Sequence, residues 1–184
     1  MASVSTDYTP HRLYWTRFSH FFHSERLRQP RKGPHLAPPV QEWIAAALRE
    51  CADQGKKFRV RIGVQNHGDF LKTGQDLLNL VKAVGSPWCG PIVDTGYFKS
   101  DDPYVDMALV AKSAVNWQIK QSPFGEDSEV STDLVRLMKI VRESGYSGYL
   151  PIETLSPRGK PYDPYTVVPA FLKQVREAIA IAWA

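Results

Sequence analysis

From residue 40 onward the chain alternates between two hydrophobic patterns, and this alternation restricts the folds open to it. Segments with apolar residues at helical spacing are followed by short apolar runs typical of buried strands, and the pair then repeats. Strands that alternate with helices of about ten to fifteen residues indicate β-α-β units, a parallel sheet and an α/β fold. The predicted order is a helix over 40–51 and then strands over 58–64, 91–94, 114–119 and 149–152, which are followed in turn by helices over 74–84, 103–112, 133–144 and 167–182.

Local residues indicate where these helices begin and end. Thr73 precedes a helical segment and Asp76 follows three residues later, which predicts a capping box. Ser131 or Thr132 is predicted to cap the helix over 133–144. Glycines are predicted to stop three helices: Gly55, Gly85 and Gly145.

A polar side chain stands at the end of each predicted strand. Gln65 is the first, and Asp94, Gln118 and Glu153 follow at intervals of 29, 24 and 35 residues, each close to the length of one β-α unit. The carboxyl ends of parallel strands lie at one edge of a sheet, where α/β folds carry their active sites. Capping of the next helix is the alternative role of such a residue, but four in register favour one shared site.

The first forty residues differ from the rest in charge and in pattern. They carry six basic and two acidic side chains, so that residues 41–184 hold 17 of each sign and the predicted domain is neutral. No hydrophobic period continues through residues 1–38, which are predicted to be a disordered or non-native leader before a domain over 39–184. Three explanations of this leader stay open: an organelle transit peptide, a basic aromatic tail that contacts nucleic acid or an anionic surface, and a start that is not native.

Composition excludes several classes of protein. Of the 184 residues, 43% are hydrophobic and 23% are charged, which is typical of a globular domain rather than a disordered or collagen-like chain. No run approaches the roughly 18 apolar residues of a membrane-spanning helix. The only cysteines, Cys51 and Cys89, give no disulfide framework and fit a reducing compartment. We therefore expect a cytoplasmic domain whose partners are neither nucleic acid nor membrane.

The segments around the four strand ends carry a family resemblance. In order they are Gln65-Asn-His67-Gly-Asp-Phe70, Asp94-Thr-Gly96, Gln118-Ile-Lys120 and Gly148-Tyr-Leu-Pro-Ile-Glu153. Over residues 40–182 this set resembles the second half of the xylose isomerase-like TIM barrels, the sugar phosphate isomerase/epimerase family, which is related to endonuclease IV. The resemblance implies an incomplete (β/α)8 TIM barrel with about four β-α units preceded by a helix.

A full barrel of this kind takes about 250 residues and eight units. Either two copies of the chain pair as a homo-oligomer, another chain supplies the N-terminal half, or the sequence is a fragment of a longer enzyme. The fragment is favoured, because residues 1–38 do not resemble any barrel element.

The resemblance also implies a metal site. In the family the matching strand ends are usually Glu, Asp, His and Glu, which bind one divalent metal, so the implied ligands here are Gln65, Asp94, Gln118 and Glu153. Glutamines replace the first Glu and the His. Four oxygen ligands favour Mg²⁺ or Mn²⁺, with Ca²⁺ as a further choice, over Zn²⁺. A three-zinc cluster of the endonuclease type is not expected, because His67 is the only histidine after residue 40.

Family chemistry implies proton transfer between carbons next to a sugar carbonyl, through an enediolate. Glu153 is the candidate base, with a plain metal ligand as the alternative. His67 is a candidate proton shuttle or substrate contact, or else it caps the loop at 68–69. Lys120 is a candidate contact to a substrate oxygen, or else a solvated lysine at a strand end. The amide of Gln65 does not titrate near pH 7, which argues against epimerisation by two carboxylates.

The expected function is therefore a divalent-metal-dependent isomerase or epimerase that acts on a sugar or sugar phosphate. The alternative is a catalytically inactive half-barrel remnant or binding module. Asn66, Asn116 and Trp117 are candidates for lining the pocket or for packing. Arg158 is a candidate contact for a phosphate or carboxylate group, or a surface arginine.

Overall fold

The computed structural model describes residues 38–184 except 68–69, 126–128 and 157–160. Residues 1–37 of the predicted leader lie outside this part of the chain, and Pro38 begins the first helix. The elements, in chain order, are α1 (Pro38–Phe58), β1 (Ile62–Gln65), α2 (Gly74–Val84), β2 (Cys89–Asp94), α3 (Pro103–Ala111), β3 (Asn116–Lys120), α4 (Leu134–Ser144), β4 (Ile152–Glu153) and α5 (Pro164–Trp183).

The four strands form one parallel sheet in the order β1-β2-β3-β4. Each strand lies beside the next one along the chain, with a helix between them, as expected for consecutive β-α units. The predicted α/β fold, with four β-α units after a leading helix, is confirmed. No helix in the described part of the chain combines the length and the apolar character needed to cross a bilayer.

The two faces of the sheet differ in chemistry. On the helix side Val64, Val93, Trp117 and Ile119 are buried in the core. Side chains alternate along a strand, so the residues next to these point to the other face. Gln65, Asp94, Gln118, Lys120 and Glu153 share that second face.

A layer of helices covers the apolar face. Each helix packs against the next, from α1 to α5, and the helices also contact the strands. Leu48, Leu77, Met107 and Leu137 come from four of these helices and have no exposed surface. Burying an aliphatic side chain of this size stabilises a fold by roughly 1.5 to 3 kcal/mol. This layer fixes the strands, and through them the positions of the polar strand ends.

The helix ends confirm some sequence predictions and correct others. The capping box of Thr73 and Asp76 is present, and Gly85 ends α2 with φ 64°. Gly145 likewise ends α4 with φ 74°. Gly55 does not stop α1, which continues to Phe58 before Arg59 takes the left-handed conformation at φ 55°.

The predicted cap of α4 is also wrong by one or two residues. Asp133 is the N-cap, and its side chain accepts the N–H of Arg136 at 2.9 Å. Thr132 is used elsewhere, because its hydroxyl donates to the carbonyl oxygen of Lys120 at 2.8 Å. The carboxylate of Asp133 therefore caps α4 in place of the hydroxyl group of Ser131 or Thr132 that the sequence predicted.

Strand boundaries differ from the predicted ones by a few residues. The first strand begins at Ile62, because α1 extends through residue 58. The third strand runs to Lys120, so Gln118 lies two residues before its end. The backbone N–H of Lys120 donates to the hydroxyl of Thr95 at 2.8 Å. This extension brings a lysine to the carboxyl edge of the sheet.

Candidate functional site

Three of the predicted site residues contact each other at the carboxyl edge of the sheet. The side-chain nitrogen of Gln65 donates to Asp94 Oδ2 at 2.6 Å and to Gln118 Oε1 at 2.7 Å. Asp94 and Gln118 are partners in the register of β2 and β3. The amide of Gln65 presents its nitrogen because both neighbouring atoms are acceptors. The convergence expected from the sequence is present here, with Gln65 between the other two.

Glu153 joins this group through Lys120. The two residues are partners in the register of β3 and β4. The ammonium nitrogen of Lys120 lies 2.7 Å from Glu153 Oε2 and 3.6 Å from Asp94 Oδ2. Because the side chain of Lys120 is only 5% exposed, the alternative of a solvated strand-end lysine is wrong. Lys120 is a buried cation between two carboxylates.

Glu153 Oε2 has an ionic neighbour but no hydrogen bond. The atom is buried, and within the described residues no donor reaches it with hydrogen-bond geometry. Its charge partner is the ammonium of Lys120, at 2.7 Å. The ammonium balances the charge of this oxygen, and no other donor among the described residues reaches it. This oxygen can therefore still accept a proton or a hydrogen bond from a ligand.

Asp94 is buried completely. Its Oδ1 atom accepts the N–H of Gly96 at 3.0 Å. Burial raises the pKa of Asp94 to about 6, while the charge of Lys120 and the hydrogen bonds from Gly96 and Gln65 lower it. The carboxyl group is therefore mostly ionised at pH 7, and both of its oxygens already have donors.

Asn66 fixes the backbone beneath this group. Its Nδ2 atom donates to the carbonyl oxygen of Asp94, and its Oδ1 atom accepts the Asp94 N–H, both at 2.9 Å. Of the two uses considered for Asn66, it has the structural one, since both ends of the amide bind backbone. Trp117 is buried in the core and Asn116 is 2% exposed, so these two are packed as well.

Tyr97 is a site residue that the sequence reasoning missed. Its ring centroid lies 4.2 Å from that of His67 and 5.0 Å from the ammonium of Lys120. An aromatic face at this distance attracts a cation. The available signal was position, because Tyr97 stands three residues after Asp94 in the loop beyond a strand end.

A cavity of about 180 Å³ opens beside the buried lysine. Its lining includes Tyr97, Lys120, Ser122, Ser131 and Glu153, but not His67, Gln65, Asp94 or Gln118. A ligand in this cavity meets an ammonium, the carboxylates of Glu129 and Glu153, the amide of Gln121, two hydroxyls and an aromatic ring. Such a set is suited to a small polyhydroxylated molecule. Arg158, the other candidate contact, lies outside the described residues.

The four implied metal ligands, as arranged here, do not fit a divalent ion. Such an ion needs several oxygens that face it at about 2.0 to 2.6 Å. Instead, the nitrogen of Gln65 stands between the oxygens of Asp94 and Gln118, and the ammonium of Lys120 faces Glu153. Among the described residues, no group of three or more His, Cys, Asp or Glu side chains is placed to hold a metal, and only two of the four implied ligands, Asp94 and Glu153, are of these types.

With this geometry in place, the comparisons with known proteins decide the family. The family model described as "Xylose isomerase-like TIM barrel" matches residues 17–177. The chain belongs to this family. The match begins inside the predicted leader, at residue 17, and extends through most of α5. A search of curated proteins found no significant match.

Solved structures share the fold of this xylose isomerase-like chain at low identity. An L-ribulose 3-epimerase superposes with a TM-score of 0.71 at 17% identity, over 82% of this chain and 58% of that one. The apo form of the 3-keto-D-glucoside 4-epimerase from E. coli gives 0.64 at 15%, over 83% and 59%. A xylose isomerase-like TIM barrel protein from Mycobacterium smegmatis, in complex with magnesium, gives 0.63 at 17%, over 83% and 55%.

The chain therefore spans less than two thirds of the length of these solved proteins. The partial TIM barrel expected from the resemblance is confirmed as a fold. The roles of Glu153, His67 and Lys120 in catalysis, and of the four strand-end residues as metal ligands, stay predictions.

Proposed function

We propose that the chain binds a small sugar with its carbonyl group beside Lys120 and Glu153 and moves a proton from the carbon next to that carbonyl to the carbonyl carbon. The observation that carries this proposal is the contact of 2.7 Å between a buried ammonium and a carboxylate oxygen without a hydrogen bond, at the wall of a cavity. The similarity to an L-ribulose 3-epimerase and a 3-keto-D-glucoside 4-epimerase supports the choice of a sugar.

In the proposed reaction Glu153 takes a proton from the carbon next to the carbonyl. The electrons of the broken C–H bond form the C=C bond of an enediolate, and the carbonyl π electrons move to oxygen. The ammonium of Lys120 stabilises the negative charge on that oxygen. Return of the proton from Glu153 to the former carbonyl carbon, together with a proton shift between the two oxygens, completes an isomerisation.

A scheme with Glu153 as its only base favours isomerisation over epimerisation, although Glu129 also lines the cavity. Inversion at one carbon needs a second group that delivers a proton to the opposite face. The amide of Gln65 cannot be that group, because it does not titrate near pH 7. His67 remains our candidate for moving the proton between the sugar oxygens. Its ring packs on Tyr97, which lines the cavity. No step of this scheme passes through a metal. The sequence-based expectation of Mg²⁺ or Mn²⁺ at the four strand-end residues competes with the arrangement of Lys120 and Gln65, and titration with the ion decides between them.

The experiment is solvent isotope exchange. The chain is incubated in D2O with free and phosphorylated pentoses and hexoses, in aldose and ketose forms, and deuterium next to the carbonyl is followed by NMR. We expect exchange for at least one sugar. Glu153→Gln is expected to lower the rate by about 10²- to 10⁴-fold, which is typical for the loss of a positioned general base.

The matched control is Glu143→Gln, because Glu143 is an exposed residue of α4 far from the cavity lining. Circular dichroism checks that both variants are folded. Absence of both deuterium exchange and aldose–ketose conversion with every sugar, with EDTA and with added Mn²⁺, contradicts the proposal. Unchanged exchange in folded Glu153→Gln shows that Glu153 is not the base.

A binding module without turnover is the second candidate function. The amide network favours it, because Gln65 ties Asp94 and Gln118 into fixed hydrogen bonds instead of leaving them free to act on a ligand. This function predicts that calorimetry detects binding of a sugar for which no isotope exchange occurs. Exchange with any bound sugar excludes it.

A further inference from the structure

We infer that the ammonium of Lys120 is the resident cation of this site and that it excludes a divalent metal ion. The inference concerns the site of the proposed function and rests on that proposal only for the ligand. Lys120 contacts the substrate in the proposed function. We infer that its ammonium also takes the place of the ion that the strand-end residues were expected to bind.

The position of the charge is the first argument. The nitrogen of Lys120 lies between the carboxylates of Asp94 and Glu153, at 3.6 Å and 2.7 Å. The side chain of Asp94 has no exposed surface and that of Lys120 only 5%. Two buried or partly buried carboxylates need a positive charge close by, and the lysine supplies it. A divalent ion placed among the same oxygens meets this charge at a few ångströms and is repelled.

The side-chain oxygens of Asp94 and Gln118 that would bind an ion already accept hydrogen bonds. Asp94 Oδ1 accepts from Gly96 and Asp94 Oδ2 accepts from Gln65, while Gln118 Oε1 accepts from the same Gln65 amide. Glu153 Oε2 faces the ammonium. An ion must displace these donors one by one, at the cost of leaving buried polar groups unpaired. The hydrogen bonds of Gln65 therefore reinforce the exclusion by charge.

The cavity is the third argument. It reaches Lys120 and Glu153 but not Gln65, Asp94 or Gln118. A ligand consequently meets the ammonium and the carboxylates of Glu153 and Glu129, whereas the side chains of Gln65, Asp94 and Gln118 lie outside the lining. This arrangement suits a sugar that offers a carbonyl oxygen to the ammonium and a hydroxyl group to a carboxylate, without a metal bridge between them.

Binding of Mn²⁺ alone tests the inference. The wild-type chain and its variants are treated with EDTA, dialysed, and titrated with Mn²⁺ while the signal of the free ion is followed by electron paramagnetic resonance. We expect no stoichiometric binding by the wild type up to about 1 mM, the weak end of protein sites for hard cations. Lys120→Met is expected to bind one Mn²⁺ at least about tenfold more tightly than the wild type, because a like charge has been removed. Asp94→Asn in that background is expected to abolish the binding.

Lys139→Met is the control, since Lys139 is exposed on α4 and a general loss of positive charge must not create a site. Lys120→Gln serves if Lys120→Met does not fold, and the wild-type titration tests the inference even without either variant. One Mn²⁺ bound by the wild type and lost in Asp94→Asn or Glu153→Gln overturns it. Folded Lys120 variants that bind Mn²⁺ no better than the wild type also overturn it. No sugar is present, so this result is independent of the isotope exchange.

Discussion

Removal of Lys120 tests whether burial or distance determines which of the two carboxylates, Asp94 or Glu153, is destabilised more by the loss of the ammonium. The ammonium is nearer to Glu153 than to Asp94, at 2.7 Å against 3.6 Å. At an effective dielectric constant of about 20, these separations correspond to attractions of about 6 and about 5 kcal/mol. Distance alone therefore predicts that the carboxylate of Glu153 loses more electrostatic stabilisation than that of Asp94 when the lysine is replaced by methionine.

Burial predicts the opposite order. The side chain of Glu153 is 22% exposed and that of Asp94 is 0% exposed, so water can solvate only the former once the lysine is gone. We expect Lys120→Met to lower the free energy of unfolding at pH 7 by about 3 to 5 kcal/mol, as for other buried pairs that lose one partner. Adding Asp94→Asn is expected to restore about 2 kcal/mol, and adding Glu153→Gln less than about 1 kcal/mol.

The loss in Lys120→Met is also expected to depend on pH. Burial raises the pKa of Asp94 from 3.8 to about 6 although the charge of Lys120 lowers it, so removal of the lysine raises that pKa further. A carboxyl group whose pKa is higher in the folded state contributes stability below pH 3.8, and this stability is lost as the pH rises. The deficit of the variant should therefore be larger at pH 7 than at pH 5.

Urea unfolding of the single and double variants gives the coupling energies in a double-mutant cycle. Changes that Asp94→Asn causes by itself, such as its altered contact with Gln65, appear in both backgrounds and cancel. Lys139→Met again controls for the loss of a positive charge. Equal rescue by the two substitutions, or greater rescue by Glu153→Gln, refutes the reasoning from burial.

Two further predictions concern the core. Burial, and secondarily the charge of Cys51, raise the pKa of Cys89 to about 11, so the contribution of Cys89 to stability is present below pH 9 and is lost as the pH rises toward 11. Relative to Cys89→Ala, the wild type should lose about 2 kcal/mol of unfolding free energy over that range, measured by urea unfolding. Parallel pH profiles of the two proteins contradict this prediction. A Cβ atom at Gly90 would overlap Val115 Cγ1, so Gly90→Ala should destabilise the fold by about 1 to 3 kcal/mol. Combining it with Val115→Ala should cost about 1 kcal/mol less than the sum of the two single changes, and strict additivity contradicts the clash.

Features of the fold set by neighbouring residues were predictable from the sequence. The capping box of Thr73 and Asp76 needs only residues within one turn, and Gly85 and Gly145 end their helices by their own backbone freedom. Gly55 failed as a helix stop because the helix continues for another turn, and Arg59 takes the left-handed conformation instead. Propensity at one position does not reveal such tertiary preference.

The candidate site was predictable as a place but not as a set of contacts. Strand periodicity brought Gln65, Asp94, Gln118 and Glu153 to one edge of the sheet. The same period of two puts Lys120 on the face of Gln118, once the strand is known to run that far. The spacing of residues does not predict whether the Gln65 amide presents its nitrogen or its oxygen to Asp94 and Gln118. It also does not predict whether the ammonium of Lys120 reaches the carboxylates, because both depend on side-chain positions to within about an ångström.

The candidate base stands on the shortest strand of the described sheet. Only two residues form β4, and they are held by the register with Ile119 and Lys120 and by the bond from the Ile119 N–H to the Pro151 carbonyl, at 2.8 Å. Outermost, brief strands open more readily than central ones and lose protection of their amides first. Under the proposed function, the time for which β4 stays paired with β3 limits proton transfer by Glu153, and a sugar that contacts both Lys120 and Glu153 stabilises that pairing.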